Sequence, residues 1–139
     1  MARATTAGPH ASQLLSVQQD LVAVMGELAT AAEDRERYLK DGYVVLIPAM
    51  TARLQEIVDE IEAQNISFRG WATPGANVHS AALDVARTVC RRAERAVCAL
   101  HEAGELRNSE ILVYLNRLSD ALWLLARQAE SGAKSPTSP

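Results

Sequence analysis

"SAALDVARTVCRRAERAVCALHEA", residues 80–103, decides how this chain is read. On a helical wheel at about 100° per residue, Leu83, Ala86, Cys90, Ala93 and Val97 fall on one apolar stripe. Arg87, Arg91, Glu94 and Arg95 gather in an arc of about 100° beside it, together with Asp84 and Cys98. An apolar stripe with a charged flank over this length predicts an amphipathic helix packed against a partner. The charged arc has two readings at this point. It is the solvated face of a bundle helix, with Arg91 and Glu94 at neighbour spacing, or it is a set of arginines aimed at an anion.

Outward from this segment the same periodicity recurs. Leu14, Val17, Leu21, Val24 and Leu28 predict a helix over about 11–32, with Ser12 a candidate N-cap. Met50, Leu54, Ile57 and Ile61 predict a second over about 48–64, with Pro48 suited to its first turn. Ile111, Leu115, Leu118 and Leu122 predict a helix over about 109–130, with Asn116, Asp120, Trp123 and Arg127 on a different, polar face. "YVVLI" at 43–47 precedes a proline and reads as an extended lead-in rather than a strand. "SFRGWATPGANVHS" at 67–80 is a loop by its Gly and Pro content. The expectation is an all-α antiparallel bundle of four helices, one domain over residues 1–131, with a disordered polar tail at 132–139.

Composition removes several function classes. A formal net charge of −3 and a pI near 5.6 argue against a nucleic-acid binder. No run approaches the roughly 20 apolar residues of a membrane span, and the N-terminus lacks a signal-like apolar core, so a cytoplasmic location is expected. Cys90 and Cys98 lie about 12 Å apart along one helix, too far for a disulfide. His10, His79 and His101 have no ligand-spaced neighbours in sequence, so no metal site is expected. Hydrolase, P-loop and dinucleotide motifs are absent from the sequence.

Two blocks carry a family pattern. "TPGANVHSAALDVARTVCRRAER" (73–95) followed by "YLNRLSDALWLLAR" (114–127) resembles the PduO-type ATP:corrinoid adenosyltransferases. "LLSVQQDLVAVMGELAT" (14–30) resembles the family's preceding helix more loosely. The resemblance implies the family's five-helix bundle without its first helix. It also implies a homotrimer with active sites at subunit interfaces, and transfer of the 5'-deoxyadenosyl group of ATP to the Co(I) of a reduced corrinoid such as cobalamin, with Mg2+ accompanying ATP. Adenosylcobalamin-dependent enzymes and a corrinoid reductase are further partners it implies. The cobalt is the nucleophile and triphosphate leaves, so the protein's work is positioning and charge neutralisation.

By the same resemblance, Arg91 contacts the triphosphate and Glu94 works in the ATP site directly or through Mg2+. Arg95 extends the arginine row, and Arg87 braces the subunit interface. Asn116 hydrogen-bonds the nucleotide, Trp71 lies against the lower corrin face, and Trp123 matches a second aromatic that packs or contacts substrate. Three departures stand out: Ala76 replaces a usual glycine, Asp84 a usual histidine, and Trp71 a usual phenylalanine. The family's T-R-T-G-D-x-G-x-T loop and V-D-E-L-N helix are not among these 139 residues, and "MARATTAG" reads as the end of that helix. The expectation is therefore marginal stability, corrinoid binding better kept than ATP binding, and little turnover until such a loop is supplied. The alternative is a non-catalytic corrinoid-binding or interaction module.

Overall fold

The computed structural model describes residues 9–66 and 72–132. Its helices are α1 (Pro9–Ala29), α2 (Arg35–Lys40), α3 (Pro48–Glu62), α4 (Val78–Glu102) and α5 (Glu110–Ser131), with a single 3-10 turn at Ala32–Asp34 before α2. No strand occurs among the described residues, and 43–47 forms neither helix nor strand, entering α3 through the extended backbone of Ile47.

The count differs from the expected four by α2. Six residues are too few to show a repeat, and α2 is held by local docking: the Tyr38 hydroxyl lies where any Cβ on Gly26 would stand, and it donates to the Val44 carbonyl. Ser12 is no cap, because it lies inside the first turns of α1. The cap of α4 is Asn77. Its side chain accepts from Ser80 N–H at 2.8 Å while Ser80 Oγ accepts from Asn77 N–H at 3.2 Å, a reciprocal capping box. Pro48 opens α3 as expected. The tail, expected to be disordered, lies outside the described residues.

Cross-helix bonds fix the directions. Asn77 at the start of α4 donates to the carbonyl of Ala129 near the end of α5, so α4 and α5 are antiparallel. Thr51 donates to Glu110 and Gln128 to Gln64, so α3 and α5 run the same way. Tyr114 donates to Asp20 and His10 pairs with Gln128, which sets α1 against α5. The four long helices therefore alternate up and down along the chain. Gly104, with φ of 73°, supplies the left-handed residue that ends α4 and lets the chain reverse into α5.

Helix α5 is the central element. Ile111, Tyr114, Leu115, Leu118, Leu122 and Leu125 are buried around it, against Leu14, Val17 and Val24 of α1, Leu54, Val58 and Ile61 of α3, and Leu83, Cys90 and Val97 of α4. The stripe read on α4 is displaced at one position: Ala93 is exposed and Glu94 is buried instead. Met25 is exposed, while Met50 packs against the core.

Candidate active site

The α4–α5 seam carries a ladder of polar contacts because the two helices are antiparallel and both turn a polar arc toward it. Ascending α4, Asp84 meets Arg127, Arg87 faces a cleft shared with Trp123 and Asp120, and Glu94 meets Asn116. From Asp84 to Glu94 the helix rises about 15 Å.

Glu94 organises the upper rung. Arg91 Nη1 donates to Glu94 Oε2 at 2.6 Å, and Asn116 Nδ2 donates to Oε1 at 2.9 Å. Three residues singled out in the sequence thus form one cluster. The Glu94 carboxylate is nearly buried, whereas the Arg91 side chain is 43% exposed. One edge of the guanidinium is pinned and the remaining donors face outward, which suits an anionic ligand. Each carboxylate oxygen accepts one of these hydrogen bonds, which fixes the orientation of the group. Cys90, one turn below, donates to the Leu115 carbonyl at 3.3 Å. Burial, and then the Glu94 carboxylate, push its thiol up to about 11, against the opposing pull of Arg91 and Arg87. It is a structural thiol rather than a nucleophile.

The middle rung is a cleft of about 350 Å³ bounded by Val58 and Glu62 of α3, Arg87 of α4, and Arg117, Asp120 and Trp123 of α5. Arg117 and Asp120 pair at 3.3 Å on its rim. Trp123 is half-buried with its ring packed against the core. Arg95 is exposed one position beyond Glu94. Trp71 lies outside the described residues.

The lower rung was not foreseen. Arg127, read as part of a polar face, is buried: its Nη2 donates to Asp84 Oδ2 at 2.6 Å and to Glu130 Oε1 at 3.1 Å, and its guanidinium carbon sits 5.6 Å from the centre of the Trp123 ring. Two further polar groupings were also missed. Asp20, buried on α1, accepts from Tyr114 at 3.0 Å and from Arg53 at 2.8 Å, and burial plus the Asp20 charge and hydrogen bond push the Tyr114 hydroxyl far upward. A charged residue within an apolar helix face was the available signal. His10 and His79, 69 positions apart, meet with Nδ1 and Nε2 at 3.1 Å, while His10 Nε2 lies 2.6 Å from Gln128 Oε1. Nothing in sequence spacing announces that contact. Among the described residues no group of three or more His, Cys, Asp or Glu could hold a metal ion, and no helix is long and apolar enough to cross a membrane.

The family model for cobalamin adenosyltransferases matches residues 1–129. This chain belongs to the cobalamin adenosyltransferase family. It is 36% identical over 120 residues to the corrinoid adenosyltransferase of Mycobacterium leprae, covering 86% of this chain and 63% of that one. Against the corrinoid adenosyltransferase MMAB of Homo sapiens, identity is also 36% over 120 residues, with 86% and 47% covered. The chain thus spans roughly half to three-fifths of the length of these adenosyltransferase relatives. Its fold superposes with a TM-score of 0.80 on a variant PduO-type ATP:corrinoid adenosyltransferase from Lactobacillus reuteri complexed with cobalamin and ATP. That match has 30% identity and covers 97% of this chain and 74% of the other. The all-α bundle and the PduO-type resemblance read from residues 73–127 therefore hold.

Proposed function

We propose that this chain provides the adenosyl-transfer site of an ATP:corrinoid adenosyltransferase, with ATP and a reduced corrinoid as its substrates. The observation that carries the reading is the Arg91–Glu94–Asn116 cluster: a pinned but accessible guanidinium beside an amide, on a chain of this family. In the reaction the Co(I) electron pair forms the bond to ribose C5', the C5'–oxygen bond breaks, and triphosphate departs with that electron pair. No proton need be removed from the nucleophile, so the reaction calls for cations and hydrogen-bond donors rather than a general base. Arg91 holds the triphosphate and stabilises the charge that grows on it as it leaves. Asn116 orients the nucleotide, and Glu94 fixes the direction of both side chains. Mg2+ enters with the triphosphate.

The same proposal includes a homotrimer with Arg87 near the subunit contact. Val22 and Met25 on α1, Val85 and Val89 on α4, and Val113 on α5 are exposed apolar side chains that a subunit contact would cover. Light scattering at micromolar concentration should report a species larger than one chain, and a stable monomer would remove the trimer.

The test of function is titration of the chain with MgATP and with aquocobalamin, followed by mixing with reduced cobalamin and recording the absorbance change as the cobalt–carbon bond forms. Arg91→Ala should weaken ATP binding by roughly tenfold or more, the loss of a charge-assisted contact, while corrinoid binding persists. Equal ATP affinity in parent and variant would take Arg91 out of the site. A parent that binds neither ligand would refute the reading as a whole.

A further inference from the structure

We infer that Arg127 is a positioning residue: clamped by Asp84 and Glu130, it holds the Trp123 ring at the wall of the Arg87 cleft. The inference rests on the adenosyltransferase reading only for what the cleft binds. Its structural part stands separately.

Arg127 is 5% exposed, and its two carboxylate partners are nearly buried as well. A guanidinium is taken out of water only where charge and hydrogen bonds replace the lost hydration. Here the replacement is lopsided. Both ion pairs use the same nitrogen, Nη2, and Nε is buried without a hydrogen-bond partner. A guanidinium placed to satisfy its own donors would spread the two carboxylates over different nitrogens. This one is drawn to one corner and lies 5.6 Å from the centre of the Trp123 ring, where the desolvated cation meets the negative face of the aromatic system. The geometry is that of a support for the ring.

The ring in turn borders the cleft that Arg87 enters from α4. A tryptophan on a helix surface has several staggered settings, and the backbone of α5 does not choose among them. Core packing and contact with the Arg127 cation do. The chain of contacts Asp84, Arg127, Trp123 therefore passes from α4 through α5 to the cleft wall. Asp84 is thereby one of two acids that accept from the buried guanidinium, and the one that reaches it from α4. Asp84 and Arg127 lie 43 positions apart, and their pairing at 2.6 Å ties the rotation of α4 to that of α5 beside the cleft.

The experiment uses the full chain labelled with 5-fluorotryptophan, with the Trp123 fluorine resonance assigned by Trp123→Phe. Because Asp84→Asn alone leaves Arg127 still paired with Glu130, the decisive variant is Asp84→Asn/Arg127→Gln, which removes the guanidinium together with the acid facing it from α4, keeps similar volumes, and leaves Glu130 with its side chain 19% exposed to water. Expected is a folded protein in which the Trp123 resonance shifts and broadens, and in which affinity for aquocobalamin or for MgATP falls about tenfold, the scale of a lost desolvated cation–aromatic contact. Adding Trp123→Leu to this variant should weaken binding little further, because the ring is already out of place. An unchanged Trp123 resonance in the folded double variant overturns the positioning role. A changed resonance with both affinities at the parent value overturns its link to the cleft. If the parent binds neither ligand, the functional reading fails while the fluorine spectra still decide the positioning.

Discussion

Two ion-pair clusters sit about 15 Å apart on the same pair of helices and behave as opposites. In the lower one, Arg127 is sealed between Asp84 and Glu130. In the upper one, Arg91 shares the buried Glu94 with Asn116 but keeps 43% of its side chain in solvent. Both clusters pair an arginine with carboxylates at 2.6 Å, so bond length does not distinguish them. Access does. A sealed guanidinium holds geometry, since it has nowhere to exchange its partners. An accessible one can take on a second anion without giving up the first.

The sharpest way to break this comparison is to remove one partner from each cluster. Asp84→Ala leaves the buried Arg127 guanidinium with Glu130 alone and one charge-assisted hydrogen bond short, and should lower unfolding free energy by about 1.5–3 kcal/mol in urea denaturation. A loss below about 1 kcal/mol would mean that water reaches Arg127 and that the two clusters are alike. Tyr114→Phe comes next. It removes the hydroxyl that donates to the buried Asp20 carboxylate, and should lower stability by about 1–3 kcal/mol, read from the same denaturation curves. Arg91→Ala should change stability by less than about 1 kcal/mol, because water can take the place of the 43%-exposed Arg91 side chain at Glu94, which also keeps Asn116. Its effect belongs in nucleotide binding.

The remaining effect is on pH dependence and is nil at neutral pH. The folded Cys90 thiol keeps its proton up to about pH 11, whereas an unfolded thiol releases it near 9.0. Between those values the unfolded chain binds fewer protons than the folded one, so stability is intact below about pH 9 and declines toward pH 11. The raised Tyr114 hydroxyl pulls in the same direction above its ordinary value of 10.0. Cys90→Ala should flatten the first part of that decline in melts recorded from pH 8 upward, and an unaltered slope would assign the decline to Tyr114 and other groups.

How much of this was legible beforehand varies by element. Helices α1, α3, α4 and α5 were readable because each repeats apolar residues over several turns. Helix α2 was not, because it rests on one docking contact between Tyr38 and Gly26. Arg91, Glu94 and Asn116 were readable as a set from the family pattern. That Glu94 is the buried hub was not, since the wheel placed it among charged residues and gave its core position to Ala93. Arg127 looked like one more surface arginine at the end of a polar face. His10 and His79 looked unrelated.

The sequence by itself determined where the long helices run, which residues of α4 share an arc, and which family the two motif blocks resemble. Periodicity fixes the angle between residues within one helix, and that is a local property of the backbone. The tertiary structure alone decided which edge of the arc faces α5, and so which arginine is sealed and which stays open. That choice depends on the rotation of α4 about its own axis, which is set by Leu83, Cys90 and Val97 packing into the core around α5. Contacts 22, 43 and 69 positions apart follow from it, and no spacing rule along the chain contains them.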